Sequence, residues 1–295
     1  MDAVQSYIAF VRACESGSFS AVARELGTSQ SAVSKQIAAL ERDVGVQLFA
    51  RTTRRLTPTL EAQTLYEHAR QLLDVIDSLR ATTDRQAQAS GTLRMTMPGS
   101  YGRHRICPLL PKFLDLNPDV RLEITFTDEA VDLVEEGLEL AVRVGPLASS
   151  SLMARPIGIA EQVLVASKAY LKHHGRPDSP ADLGDRPCIV YGRGQRWARW
   201  EFESENGRHA VEVTGPVRAN DSDAMHDLVL SGVGIGLLPD WVVTNALKRG
   251  TIEALLDDYY PRPLPVNIVY PQTRFLSQRA RSFIDFTIAE LLSKR

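Results

Sequence analysis

Cysteine is scarce. Cys14, Cys107 and Cys188 are the only three in 295 residues, and they lie far apart. An odd, scattered set does not build a disulfide framework, so reduced thiols and a cytoplasmic setting are expected. No CxxC pair and no Cys/His cluster with metal-ligand spacing occurs. Net charge is scarce too. Lys and Arg number 34 against 36 Asp and Glu, which leaves −2, so any grip on nucleic acid must be local. Long apolar runs are missing. The most apolar stretch, LVLSGVGIGLLPDWVV at 228–243, is broken by three glycines, a proline and an acid. It reads as a buried helix–turn–strand and not as a membrane span. The opening MDAVQSYIAF carries an acid where a secretion signal would be basic. Catalytic signatures are missing as well. GxSxG, HExxH and a P-loop do not occur, and His104, His173, His174 and His226 have no nucleophile context. GVGIG at 232–236 follows a helix, where a dinucleotide fingerprint would follow a strand. We therefore expect no enzyme and no cofactor.

What is present suggests two or three soluble domains, with 44% apolar and 24% charged residues. Residues 1–57 read as short helices. Val4, Tyr7, Ile8 and Val11 mark the first. Ser18 and Ser20 are candidate caps of the second, which ends at Gly27. The third covers SQSAVSKQIAALE and runs to Gly45. Only the turn GTS separates the last two, a helix-turn-helix signature. Val33, Ile37 and Leu40 form the apolar stripe of the third helix. Its other face carries Ser29, Gln30, Ser31, Ser34, Lys35 and Gln36, where Glu and Lys would serve the helix better. Gln bonds adenine edges, Ser reads almost any edge, and Lys pairs with guanine or phosphate, so this face suits a DNA major groove. The bland alternative is a solvated face with Ser29 as N-cap. Beyond Gly45, Arg51, Arg54 and Arg55 lie among Leu48, Phe49 and Leu56 and suggest a small basic wing.

Residues 59–88 contain no glycine or proline, and Ala62, Leu65, Ala69, Leu72, Ile76 and Leu79 fall on a heptad seam. That predicts a long dimerising helix; the alternative is one amphipathic helix packed on its own domain. From residue 91 onward, strand and helix patterns alternate. TLRMTMP, VRLEITFTD and LAVRVG read as strands, HRICPLLPKFLDLNP and AVDLVEEGL as helices. This is a βαβαβ unit with a parallel sheet. A second set follows, then the strand LPVNIVYP and a final amphipathic helix. Two α/β lobes with a cleft between them are expected.

The segment FSAVARELGTSQSAVSKQIAALERDVGVQLFARTTRRLTPT resembles the DNA-binding domain of LysR-type transcriptional regulators. Ala21, Ala23, Leu26, Gln30, Ser31, Ser34, Ile37, Leu40, Glu41, Gly45, Leu48, Phe49, Arg51, Arg54, Leu56 and Thr57 fall on that family's pattern. A glycine usual after the L-T-P-T segment is replaced by Leu60, Glu61 and Ala62. GTLRMTMP, DLVLSGVGIGLLPDWVV and RARSFIDFTIAELL are similar to the family's effector domain. The resemblance implies an α+β multi-domain chain: an N-terminal winged helix-turn-helix (1–58), a linker and dimerisation helix (59–90), and a two-lobed α/β effector domain like periplasmic binding proteins (91–295). Lobe I would comprise 91–163 and 266–295, lobe II 164–265. It further implies a homodimer or homotetramer, built as a dimer of dimers, on a pseudo-palindromic double-stranded operator. A small effector would lie between the lobes, with RNA polymerase as a further candidate partner and no membrane. The family's redox-sensing branch uses two nearby cysteines in lobe II; only Cys188 lies there, so thiol sensing is not expected.

In an open α/β sheet, ligands collect at the carboxyl ends of strands. Those ends carry Ser100 and Tyr101, Thr127 and Asp128, and Arg143 in the first lobe. In the second they carry Tyr191, Arg193 and Trp197, then Asn220, Asp221 and Ser222. The family implies effector contacts at Ser100 and Thr127; the others rest on topology. Asp128, Asp221 and Ser222 suit helix capping equally well. Arg143 calls for an anion, either a ligand or an internal carboxylate. The effector is therefore expected to be anionic. A solute-binding protein with an N-terminal dimerisation module is the rival reading.

Overall fold

The computed structural model of the chain describes residues 3–51, 56–83, 89–148, 150–194, 197–272 and 276–292. The chain divides into two compact units, 1–88 with 273–278, and 89–272 with 279–295.

In the first unit, three helices run Ala3–Ser16, Phe19–Glu25 and Gln30–Val44. Ser18 caps the second by accepting from the Ala21 N–H, and Ser29 caps the third by accepting from Ala32. Ser20 lies inside the second helix and caps nothing there. Gly45 closes the third helix at φ +74°, a conformation a side chain would strain. The strands Phe49–Arg51 and Leu56–Pro58 pair antiparallel as the wing, with Phe49 opposite Pro58. The tip, with Arg54 and Arg55, lies outside the described residues.

The long helix spans Leu60–Thr83. Thr59 anchors its start: its hydroxyl accepts from the Ala62 N–H and donates to the Gln47 carbonyl, 3.2 and 2.8 Å. That anchor corrects the seam. Ala62 and Ala69 are buried, and Leu65 and Leu73 pack, in one core with Phe10, Val33, Ile37 and Phe49. The first half of the heptad pattern thus belongs to the chain's own domain. Leu72 is 42% exposed, and the side chain of Leu79 lies outside the described residues.

The second unit holds two five-stranded sheets. The first is ordered Val120–Phe126, Gly91–Met97, Leu140–Val144, Leu264–Pro271, Leu152–Ala160. Its first three strands are parallel, and Leu264–Pro271 runs against both its neighbours. The second sheet is ordered Val217–Ala219, Cys188–Tyr191, Ile235–Pro239, Gln162–Ser167, Ile252–Ala254, again parallel in its first three strands and antiparallel after them. Both sheets are therefore mixed where the βαβ pattern suggested parallel ones. The chain crosses from first sheet to second at Glu161 and returns between Pro261 and Leu264.

Three of the differences from the sequence reading stand out. Residues 130–138 form a single turn instead of a helix. The Asp132 carboxylate accepts from the N–H groups of Val134 and Glu135, and Gly137 at φ +61° closes the turn at once. The helix expected at 104–118 begins earlier, at Gly99, and is composite. A π segment covers Gly102–Ile106 and a 3-10 turn Cys107–Leu109, before α-helix Leu110–Leu116. Pro108 and Pro111 each lack an N–H and crowd the preceding turn, which breaks the regular ladder there. Finally, Trp197–Ser204 is a strand that pairs with Gly207–Thr214 and Tyr260–Pro261 in a third, antiparallel sheet. Trp200 and Phe202 alternate into the core of the second lobe.

Candidate functional site

Gln30, Ser31 and Lys35 stand exposed along one side of the third helix, and Ser34 is half-buried beside them. Ser29 is exposed too, but its hydroxyl serves the Ala32 N–H and touches the Ser31 hydroxyl at 3.0 Å. Its low helix propensity is thereby explained by capping. Gln36 departs from the face. It is half-buried, and its Oε1 is sealed from solvent with no hydrogen-bond partner.

In the sequence Glu41 stands only as one position of the family pattern. In the structure its Oε1 accepts from the N–H groups of Leu48 and Phe49, at 2.9 and 3.3 Å. A carboxylate on the third helix thus fixes the start of the wing. Phe49 completes the joint: it is 2% exposed and meets Phe10 and Phe19 edge-on, at 5.9 and 5.6 Å between centroids. Helix face and wing are therefore tied together through Glu41 and Phe49. Arg51 belongs to the wing's first strand.

The second site lies around the end of strand Gly91–Met97. The composite helix begins two residues on. The Thr127 N–H donates to the Met97 carbonyl at 2.9 Å. Leu140 and Ala141 stand opposite Met95 and Thr96, which carries Arg143 level with Pro98. Ser100, Thr127 and Arg143 thus converge on one sheet edge, as the topology suggested.

Their surroundings were less legible. Ser100 is buried, and its hydroxyl accepts the indole N–H of Trp241 from the second lobe, at 3.1 Å. Tyr101 packs edge-on against the same indole, 5.3 Å between centroids. Burial pushes its phenol up to about 12, with Asp240 adding to the rise and Arg105 opposing it. Arg105 lies over the Trp241 ring and pairs with Asp240 at 2.8 Å. Asp223 receives His104 at 2.9 Å and Arg103 at 3.5 Å. None of Arg105, Asp223, Asp240 and Trp241 was marked from sequence. Trp241 follows the strand Ile235–Pro239, so the strand-end rule used elsewhere would have found it.

Thr127 closes a turn by accepting from the Glu129 N–H, at 3.1 Å. Asp128 caps no helix; its Oδ1 accepts the Tyr191 hydroxyl across the lobes at 2.6 Å. Arg193 pairs with Glu129 beside it. The Tyr191 phenol is raised above its ordinary range, first by burial and then by Asp128, so it stays a donor. Asp221 does cap, accepting from Ala224 at 2.8 Å, with Asn220 and Ser222 half-buried on either side. Trp197 opens the third sheet with its ring 44% exposed, and its carbonyl accepts from Arg218. Arg143 is half-buried, and its Nη1 is sealed from solvent with no hydrogen-bond partner. Burial lowers its guanidinium from the ordinary range, and the charge of Asp128 partly offsets this.

All three cysteines are free. Burial pushes Cys14 and Cys188 up to about 12, Glu15 adding at Cys14 and Arg186 opposing at Cys188. The thiolate is the reactive form. At pH 8 iodoacetamide should therefore modify Cys14 slowly although it is half-buried, more slowly than the equally half-buried Cys107, and Cys188 only on unfolding. Peptide mass mapping checks this, and equal rates at all three would contradict it. Among the described residues no group of three or more His, Cys, Asp or Glu stands together to hold a metal ion. No helix among them is long and apolar enough to cross a membrane.

Two family sequence models match the chain. One, described as a bacterial regulatory helix-turn-helix protein of the lysR family, covers residues 5–63. The other, described as the LysR substrate binding domain, covers residues 86–292. Among curated proteins, the regulator DmlR of Escherichia coli is 34% identical over 279 residues, which is 94% of this chain and 91% of its own. LtrA of Klebsiella pneumoniae, named a probable transcriptional regulator, is 36% identical over 85% of this chain and 81% of its own. Among solved structures, CrgA, a LysR-type transcriptional regulator from Neisseria meningitidis, superposes with a TM-score of 0.61 at 29% identity. It covers 97% of this chain and 98% of that one.

Proposed function

The chain belongs to the LysR family of transcriptional regulators, and from that premise we propose how its two sites divide the work. It is a regulator with a helix-turn-helix domain and an effector-binding domain, and its relatives are regulators rather than enzymes. The matches give no support to a solute-binding protein. Our domain division is 1–58, 59–90 and 91–295; the separation of the two units after residue 88 favours its second boundary.

The third helix enters the major groove with Gln30, Ser31, Ser34 and Lys35 toward the bases, while the wing, with Arg51, Arg54 and Arg55, follows a phosphate strand. The exposed polar side of that helix, rigidly joined to the wing through Glu41, is the observation that carries this reading. A dimer of dimers in the cytoplasm, on a pseudo-palindromic operator, is the assembly we favour, because Leu72 stays exposed on the long helix. Contact with RNA polymerase would follow at the promoter. The effector is a small molecule bearing a carboxylate, seated between the lobes against Arg143. The sealed, unbonded Nη1 of that residue supports it, since a buried donor ordinarily finds an acceptor.

Gln30→Ala tests the DNA reading. Against an operator selected from a random-sequence pool, it should cost about 1–3 kcal/mol and relax base choice at one position per half-site. Fluorescence anisotropy would show it. Undiminished affinity with an intact fold would remove Gln30 from the contact set.

A further inference from the structure

Arg143 and Asp128 pose a question. A buried guanidinium N–H without an acceptor is unfavourable, and a nearby carboxylate normally takes it up as a short charge-assisted bond. Asp128 is close enough for its charge to act on Arg143. Yet no ion pair joins them, and the Arg143 Nη1 stays unbonded. The Asp128 carboxylate is engaged elsewhere, by the Tyr191 hydroxyl of the other lobe at 2.6 Å.

That phenol is itself held in place. Arg218 donates to the Tyr191 carbonyl at 3.1 Å and to the Trp197 carbonyl at 2.8 Å, so it brackets both ends of the connecting segment. Arg193, on the same segment, pairs with Glu129. On the opposite side, Thr127 fixes the turn that carries Asp128. The grip on Asp128 is built from both lobes.

We propose that Tyr191 is a positioning residue that keeps the anion seat at Arg143 open, by drawing the Asp128 carboxylate toward the second lobe. This rests on the reading of Arg143 as the seat of a carboxylate ligand. Asp128 is then an internal competitor. When the lobes part, the Tyr191 bond breaks and Asp128 falls onto Arg143; when they meet, the seat is vacated for the effector. Empty and loaded states are thereby coupled to lobe spacing without any contact between Tyr191 and the ligand.

The test uses the full chain and malonate as a carboxylate probe, with chloride holding ionic strength constant. Thermal unfolding against malonate concentration gives a half-saturation point for each variant. The wild type should respond and Arg143→Gln should not. Tyr191→Phe keeps the ring but frees Asp128, and should raise half-saturation about tenfold, the scale of one charge-assisted hydrogen bond. Tyr191→Phe with Asp128→Asn should return to the wild-type value, a rescue that a merely structural role would not produce. In a crystal structure of Tyr191→Phe, the Asp128 carboxylate should lie on Arg143. If Tyr191→Phe binds malonate like the wild type, or the double variant stays as weak as the single, the positioning role is wrong. If the wild type does not respond, or Arg143→Gln responds equally, the anion seat itself is wrong and this inference goes with it.

Discussion

Phe49→Ala should lower the stability of the DNA-reading unit by about 3–5 kcal/mol, the usual cost of truncating a buried phenylalanine. The upper half of that range is expected. Phe49 is 2% exposed and packs edge-on against two other phenylalanines, each such pair adding about 0.5–1.5 kcal/mol beyond burial. The loss should also reach function. Phe49 opens the wing, and its N–H is one of two held by Glu41. Operator affinity should therefore fall even at temperatures where the variant is folded, as the wing loosens from the third helix. Leu56→Ala, in the partner strand and only half-buried, should cost less on both counts. Denaturation followed by circular dichroism, with operator titration below the transition, separates the two effects. A stable variant would mean that the aromatic cluster does not hold the wing.

The second large effect is steric. A Cβ on Gly215 would stand 1.7 Å from the Cys188 carbonyl oxygen and 2.7 Å from its carbon. Both obstacles are backbone, so no side chain can swing aside. The strands Cys188–Tyr191 and Val217–Ala219, paired with Val217 opposite Ile189, would have to part. Gly215→Ala should thus meet or exceed the roughly 3 kcal/mol at which ordinary overpacking ends. It should also unsettle Arg218, three residues along the chain from the clash. Gly184→Ala is the control. Its Cβ would meet its nearest neighbour at an ordinary 3.6 Å, and its unfolding midpoint should stay near the wild type. Similar midpoints for the two variants would refute the steric argument.

The helix-turn-helix was legible because its signals are local. A serine caps each of two helices, a glycine ends each, and a 3.6-residue stripe faces inward. The strand-end residues Ser100, Thr127 and Arg143 were legible for a topological reason: parallel strands deliver their carboxyl ends to one edge. What escaped was tertiary. The strand-end rule reaches Trp241, but nothing near Ser100 announces that the two meet, 141 residues apart. The helix read into AVDLVEEGL fails because Asp132 and Gly137 open and close a turn within six residues, a conflict that periodicity alone does not weigh. The strand WARWEFES does alternate, with Trp200 and Phe202 inward. No strand is assigned to it from sequence, although that alternation was there to be read.

The long helix has a consequence for descent. Ala62, Leu65 and Ala69 are committed to the chain's own core, so selection on stability holds them whatever the chain pairs with. Leu73 packs there too, so along this stretch it is the exposed Leu72 that is at liberty to drift. On the pairing we propose, duplicated copies would part through changes at such exposed positions, without relearning a DNA sequence. Within the seam, Ala62, Leu65 and Ala69 are thus kept by folding, while Leu72 is open to divergence.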